Sequence, residues 1–296
     1  MSYRCGYVAL VGRPNVGKST LANCLVGQKI SITAHHPHTT RYRILGIHSG
    51  SGFQAIYVDT PGLCQPGKFA ISRYLRRTAQ SVLTDGFLDV ILHVVAGNQW
   101  NPEDDLVLEI IQQLDIPVVL VVNKIDLVKP RDLLLPHLEK CAAKYNFVQI
   151  VPLSALHNDN VATLEKAIIP LLPEGAAQFP TDQITDRSMR FYAAELLREK
   201  LARHLGAELP YAITCEVEQF REEHGVTHIS VIIWVERPGQ KAIVIGKNGA
   251  VLKKIGQEAR ADIERQLAGK VFLQTWVRVR TGWTNNDRAL QSLGYE

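Results

Sequence analysis

The sequence predicts two α/β units of different make: a mostly parallel sheet with helices on both faces over residues 1–172, and a smaller α+β unit over 187–296. Three observations predict it. Short β-rich apolar runs alternate with stretches of helical spacing through the first 172 residues, the pattern of strands joined by crossover helices. The texture then breaks into PEGAAQFPTD, with two prolines, a glycine and no periodicity, so 173–186 reads as a linker. Beyond it the order of elements changes.

In chain order, strands are expected at 7–11, 54–59, 90–95, 118–123 and 148–153, and helices at 18–26, 69–83, 104–114, 133–144 and 161–171. The runs 90–95 and 118–122 are continuously apolar, as strands covered on both faces must be. Residues 43–48 and 54–59 flank Ser-Gly-Ser-Gly and read as an antiparallel hairpin at the sheet edge. After the linker, 189–204 is periodic and helical, with Phe191, Ala194, Leu197 and Leu201 as a core stripe. Strand-like runs follow at 212–220, 227–235 and 242–245, then a helix at 249–267 and a strand at 271–280. The tail GWTNNDRALQSLGY, with Trp283 and Tyr295, is read as a cap on this second unit.

Composition excludes several classes. In 296 residues, 46% hydrophobic and 21% charged, no apolar run approaches the ~18 residues that span a bilayer. The first residues, MSYRCGYVAL, lack a basic stretch and cleavage site, so a cytoplasmic protein is expected. The five cysteines show no CxxC spacing and read as free thiols. Net charge is +4 and unevenly spread: residues 1–186 hold 16 Lys/Arg against 16 Asp/Glu, and 187–296 hold 17 against 13. The neutral first part and basic second part point to a polyanionic partner for the second.

Gly12-Arg13-Pro14-Asn15-Val16-Gly17-Lys18-Ser19 fits GxxxxGK[ST] between an expected strand and helix. The glycines let backbone amides turn inward around phosphates. Lys18 reaches the β- and γ-phosphates, Ser19 supplies a hydroxyl to Mg²⁺, Thr20 extends the contact, and the helix dipole favours the anion. This is the mark of a P-loop NTPase-type sheet; kinases, ATPases and GTPases all share it.

Asn123-Lys124-Ile125-Asp126 names the base. Guanine presents N1–H and N2–H₂ side by side, and the Asp126 carboxylate accepts from both. Adenine would leave that carboxylate unpaired, at a cost of several kcal/mol. Asn123 bridges to the neighbouring loops and the Lys124 stem covers the purine face. Ser154, Ala155 and Leu156 end the next strand, where the Ala155 amide is placed to meet guanine O6.

Asp59-Thr60-Pro61-Gly62-Leu63 ends another strand. Asp59 is expected to bind Mg²⁺ through water, and the Gly62 amide to sense the γ-phosphate. Residues 31–41, SITAHHPHTTR, form a polar, aperiodic loop from which a threonine can reach Mg²⁺ while the γ-phosphate is present: Thr40, with Thr39 as the alternative. Residues 31–41 and 59–68 are expected to order with GTP. His35, His36 and His38 lack a carboxylate or cysteine nearby in sequence and read as loop residues. Lys18, Thr40 and Gly62 are the expected catalytic set.

In the second unit, Gly246-Lys247-Asn248-Gly249 is expected between a strand and a helix. Lys247 sits at its tip, Lys253 and Lys254 lie within about a turn, and Ile243, Ile245, Val251 and Ile255 serve as groove floor or core. This is similar to the KH module of the type II, prokaryotic arrangement, which clamps single-stranded RNA by its backbone.

The order GRPNVGKS, TTR, DTPGL, NKID, SAL resembles translation-factor-like GTPases, and with DRSMRFYAAELLREK, VIGKNGA and RALQSLGY the whole chain resembles the Era family, an Era/TrmE-like GTPase domain followed by a KH domain. The resemblance implies GTP hydrolysis with Mg²⁺, binding of the 3′ end of 16S rRNA, a role in assembly of the 30S ribosomal subunit, and loose association with the inner membrane; a monomer is expected. Leu63 stands where Ras-type GTPases carry a water-orienting glutamine, so slow intrinsic turnover is expected, near the ~10⁻⁴ s⁻¹ of unaided enzymes. Asn15 is similar to the residue by which some of these GTPases hold K⁺. Two other readings stand beside this one: a membrane-associated regulatory GTPase with no RNA role, and a P-loop kinase of a small metabolite.

Overall fold

The computed structural model describes residues 2–36, 38–63, 69–97, 99–206 and 212–295. The chain divides into two compact units. One comprises Met1–Ser31, Thr40–Pro66 and Leu75–Asp186; the other comprises Ile32–Thr39, Gly67–Tyr74 and Arg187–Glu296.

The first unit is built on a six-stranded sheet. Its strands are β1 (Arg4–Val11), β2 (Ile44–Gly50), β3 (Phe53–Asp59), β4 (Val90–Ala96), β5 (Val118–Asn123) and β6 (Gln149–Pro152). Their order across the sheet is β2-β3-β1-β4-β5-β6. Only β2 runs antiparallel, paired with β3 as the hairpin its Ser-Gly-Ser-Gly turn predicts. Helices α1 (Lys18–Val26), α2 (Ala70–Thr84), α3 (Pro102–Ile111), α4 (Leu134–Ala142) and α5 (Val161–Ile168) connect the strands. Every residue of β3, β4 and β5 is buried, so these strands hold their place by apolar cover on both faces. The parallel strands all end on the edge where residues 12–17, 59–63, 123–126 and 153–156 gather, which is where ligands bind such sheets.

The stretch 173–186, expected as a linker, runs back over this first unit. Gln54, fully buried on β3, donates its Nε2 to Phe179 O (2.8 Å). Its Oε1 accepts from the amides of Gln178 (2.8 Å) and Phe179 (3.0 Å). The Cys5 amide bonds Pro173 O, the Ile47 amide bonds Ile184 O, and the Leu45 amide bonds Asp186 Oδ1. The segment has no periodicity because it is fixed by backbone hydrogen bonds, which composition does not reveal. It also covers edge strand β2, whose open amides would otherwise invite pairing with another chain.

The second unit holds α6 (Met189–His204), β7 (Ile213–Glu223), β8 (Val226–Val235), α7 (Pro238–Ile245), α8 (Ala250–Leu267), β9 (Lys270–Val279) and α9 (Asp287–Ser292). Its sheet runs β7-β8-β9, antiparallel then parallel. Leu196, Leu197, Ile229, Val231, Ile255 and Ile263 lie at the centre of its core. Residues 242–245 were expected as a strand because Ile-Val-Ile is β-branched; they form the last turn of α7 instead. Pro238 opens that helix, and Gln240 Oε1 accepts from the amides of Glu236 and Arg237, satisfying donors at its start. The local start signal outweighs propensity over so short a run. The tail caps this unit: Trp283 and Tyr295 are buried and stacked 6.1 Å apart, and Tyr295 donates to Thr214 Oγ1.

His93, at the centre of β4, is fully buried, with its ring against Trp100 and Phe147. Neither ring nitrogen has a hydrogen-bond partner among the described residues, and burial pushes the imidazole down to about 3 from 6.5. The folded chain therefore refuses a proton that the unfolded chain accepts below pH 6.5. Its stabilising contribution is complete above pH 6.5 and is lost progressively as pH falls toward 3. Replacing His93 by Phe, which suits the aromatic neighbours, is expected to flatten the loss of stability between those values, read from urea midpoints across the pH series.

Candidate functional site

β1 runs into the phosphate-loop sequence, and α1 begins at Lys18 with Gly17 in the left-handed region at φ 98°. No side chain caps α1, so its first amides face the loop. Two loop glycines are enforced by contact. A Cβ on Gly12 would lie 2.3 Å from Val94 O, and one on Gly17 would lie 2.3 Å from Asn123 Nδ2. Gly62 is held the same way, since its Cβ would lie 2.7 Å from the Pro14 nitrogen. Lys18 Nζ donates to Gly12 O and Arg13 O, both at 2.9 Å, and so sits inside the ring of carbonyls that it closes. Val16 is buried, and Thr20 lies within the first turn of α1.

Arg13 points elsewhere. Its Nε lies 3.2 Å from Asp104 Oδ2, a buried carboxylate on α3 whose oxygen also accepts from the Asn101 amide. Burial pushes the Asp104 carboxyl up, and the Asn101 amide and Arg13 draw it back. Asp104 escaped the sequence reading, though Asn101-Pro102-Glu103-Asp104 carries the helix-start signal that could have found it.

Ser19 Oγ and Thr40 Oγ1 meet at 2.7 Å. The Thr39 hydroxyl is spent on His36 O at 2.6 Å, so of the two candidates Thr40 is the one that faces Ser19. Asp59 is 0% exposed, and neither carboxylate oxygen has a geometric hydrogen-bond partner among the described residues. Burial pushes its carboxyl up, against the pull of nearby Ser19, Ser31 and Lys18. A buried carboxylate without partners is costly, and with two hydroxyls at hand this donor set suits a hard, oxygen-seeking divalent cation. Thr60 Oγ1 donates to Leu10 O, and the Leu63 amide donates to Gly12 O, so the Asp59-Thr60-Pro61-Gly62-Leu63 turn is tied to β1 and the phosphate loop. The expected ordering segment 59–68 lies outside the described residues from 64 on.

On the base side, Asn123 is buried at the end of β5. Its Nδ2 donates to Val16 O (2.8 Å), and its Oδ1 accepts from the amides of Ala155 (3.0 Å) and Lys124 (2.8 Å). Lys124, at φ 64°, donates its Nζ to Asn15 O at 2.5 Å, and burial lowers its ammonium. The Ile125 amide bonds Leu153 O. Asp126 Oδ1 accepts from Ser154 Oγ at 2.6 Å, while its Oδ2 lies 4.0 Å from His157 Nε2. Leu156 is exposed. His157 carries no sequence signal; only the turn brings it beside Asp126.

In the second unit, Gly246, Asn248 and Gly249 have φ of 71°, 52° and 75°, forming a tight turn between α7 and α8 with Lys247 on it. A Cβ on Gly246 would lie 2.3 Å from Val251 Cγ2. Beside the turn is a cavity of about 410 Å³, lined by Gly249, Leu252, Lys253, Gly256, Gln257, Arg260, Leu273 and Thr275. Lys253 lines it and Lys254 does not. Ile255 belongs wholly to the core, while Ile245 and Val251 pack on the core's edge and Ile243 is exposed.

Residues 7–124 match the family described as 50S ribosome-binding GTPase, and residues 208–284 match the KH domain family. The chain is 52% identical to GTPase Era of Marinobacter nauticus over 291 residues, 98% of this chain and 95% of that one. It is 52% identical to GTPase Era of Pseudomonas aeruginosa over 292 residues, 99% and 95% of the two chains. The chain belongs to the Era family. Among solved structures it is similar to a point variant of Aquifex aeolicus Era bound to GDP·AlF₄⁻, at 37% identity and TM-score 0.94, with 99% of each chain covered. A second Era structure, in complex with MgGDPNP and nucleotides 1506–1542 of 16S ribosomal RNA, matches at 37% identity, TM-score 0.95 and the same coverage. As an Era-family member the chain is a GTPase with a P-loop-type sheet and a C-terminal KH domain, and the metabolite-kinase reading falls with that membership. Among the described residues, no helix is long and apolar enough to cross a membrane.

The Arg13–Asp104 pair should behave as an anchor of the phosphate loop. A double-mutant cycle with Arg13→Ala and Asp104→Asn, measured by urea denaturation, is expected to give a coupling of about 1–3 kcal/mol.

Proposed function

We propose that the chain is a GTP-dependent, Mg²⁺-requiring switch that binds single-stranded rRNA at the 3′ end of 16S rRNA and assists 30S subunit assembly. The observation that carries the nucleotide part is Asn123: one buried amide bonds the phosphate loop at Val16 and the Ser154-Ala155 turn, and sets Asp126 three residues on. In this reading Asp126 accepts from guanine N1–H and N2–H₂, with Ser154 holding the carboxylate in plane. Lys124 covers the purine, and Ala155 donates to O6. Lys18 leaves Gly12 O and Arg13 O for the β- and γ-phosphates, and Gly62 offers its amide to the γ-phosphate across Pro14.

Ser19, Thr40 and Asp59, the last through water, would hold Mg²⁺. When bound, the ion neutralises charge on the β- and γ-phosphate oxygens. Leu63 has no group to orient a water, so turnover is slow, and Asn15 is the position for K⁺. The Era structure that holds MgGDPNP supports the metal; K⁺ rests on the resemblance at Asn15.

In the second unit the Gly246-Lys247-Asn248-Gly249 turn presents backbone and Lys247 to RNA phosphates, with Lys253 and Lys254 beside it and bases in the adjoining cavity. The relative bound to nucleotides 1506–1542 of 16S rRNA supports this. We read residues 1–172 as the GTPase domain and 187–296 as the KH domain of a monomer working in the cytoplasm; peripheral inner-membrane contact rests on the family resemblance alone.

Calorimetry is expected to show GTP and GDP binding at least ~10²-fold tighter than ATP. Asp126→Asn should move the preference from guanine to xanthine nucleotides, and an unchanged GTP affinity would refute the base assignment. Joint replacement Lys247→Asp and Asn248→Asp is expected to abolish binding of a 16S 3′-end oligonucleotide in a gel-shift assay, with GTP affinity unchanged.

A further inference from the structure

The two faces of the β7-β8-β9 sheet are unlike. Along β8, Ile229, Val231, Ile233 and Val235 join the core with Leu196, Leu197 and Ile255. The alternate residues His228, Ser230, Ile232 and Trp234 therefore lie on the outer face. Register sets Phe272, Gln274, Trp276 and Arg278 of β9 opposite them on that face. β9 is an edge strand of this sheet. Phe272 is 49% exposed and Trp276 41%, two large rings in water on one face of one strand, about 13 Å apart along it. Both have backing from the central strand. The His228 ring packs on Phe272 with centroids 5.3 Å apart, and Ile232, opposite Trp276, is buried.

Charge on this face is divided. Residues 270–280 hold Lys270, Arg278 and Arg280 and no carboxylate. The acids stand across the sheet on β7, where Glu216 accepts from Trp234 Nε1 (2.8 Å) and Glu218 lies 3.5 Å from Arg278 Nη1. The Glu218–Arg278 pair is half exposed on both sides, so it contributes little and yields readily to a phosphate. A row of rings alone would suit an apolar protein surface. Cations in the same row, on a strand without acids, suit a polyanion that carries its own rings. That is single-stranded nucleic acid, whose bases stack on aromatic side chains while its backbone follows the basic groups. The other face of the same strand supplies Leu273 and Thr275 to the cavity beside the Gly246–Gly249 turn. A KH cleft clamps only about four nucleotides, and a longer strand leaving this cavity over the β9 edge meets the row of rings.

We infer that Phe272 and Trp276, with Lys270 and Arg278, form a second surface for single-stranded RNA on the outer face of β9. It continues the path of a strand held at the turn, and it rests on the RNA reading given above. Because every base has a face to stack, this surface adds affinity and length to the site with little sequence preference.

The test uses the full chain and two fluorescently labelled single-stranded RNAs, one of about four nucleotides to fill the cleft and one of about twelve, read by anisotropy. The parent is expected to bind the longer RNA at least tenfold tighter. Phe272→Ala and Trp276→Ala should each weaken the longer RNA about tenfold and leave the shorter within twofold. Trp276→Phe, which keeps a ring, should stay within about threefold of the parent. Lys270→Gln should lower the slope of log affinity against log salt by about 0.7 for the longer RNA alone. An unchanged affinity for the longer RNA when Phe272→Ala and Trp276→Ala are combined would overturn the inference and leave the face to a protein. An equal loss for both RNAs would also overturn it, since the changes would then act through the turn. If Trp276→Ala does not fold, Phe272→Ala and Lys270→Gln decide. A parent that binds neither RNA refutes the RNA reading itself; a parent that binds both equally leaves that reading standing and refutes the second surface alone.

Discussion

The Asn123 side chain is the point on which the nucleotide site depends. It stands at the end of β5, buried, with its amide nitrogen on the Val16 carbonyl and its oxygen shared by the amides of Ala155 and Lys124. Three loops that leave three different strands are joined by one residue. Its nitrogen also occupies the space that any side chain at position 17 would need, so the glycine of the phosphate loop and the asparagine of the base loop require each other. A larger residue at 17 would push the two halves of the site apart; a shorter one at 123 would leave the buried Val16 carbonyl and Ala155 amide seeking partners.

Around that centre the site is arranged by placing polar groups where water cannot reach them. Among the described residues Asp59 has no hydrogen-bond partner at its buried oxygens, and Lys18 is folded onto carbonyls of its own loop. Both are unfavourable alone and complementary to a phosphate with its cation. The fold thereby provides an electrostatic arrangement complementary to a phosphate and its cation.

Much of this was legible in the sequence, because the site consists of short motifs at strand ends and strand ends are marked by apolar runs. β4 and β5 could be read from continuous apolar runs, and α1 and α6 from their helical spacing, the two helices to the residue. What was not legible has a common cause. Residues 242–245 have β-branched side chains but begin from a proline and a glutamine that start a helix. The 173–186 stretch has no pattern, since it is held by its backbone and by a single glutamine on β3. Asp104 and His157 reach the site through turns whose course only the folded chain supplies.

The division of the chain has a consequence for the order in which it is made. The 32–39 and 69–74 segments are translated early, but the unit into which they pack is completed only by residues 187–296. At ~5–20 residues per second, the interval between emergence of Thr39 and of the last residues is on the order of ten seconds or more. A nascent chain halted after Asp186 would carry its six strands and its phosphate loop, yet the 32–39 stretch would lack the rest of the unit into which it packs. Completion of the second unit therefore waits on residues 187–296, whereas every strand of the six-stranded sheet is made before them.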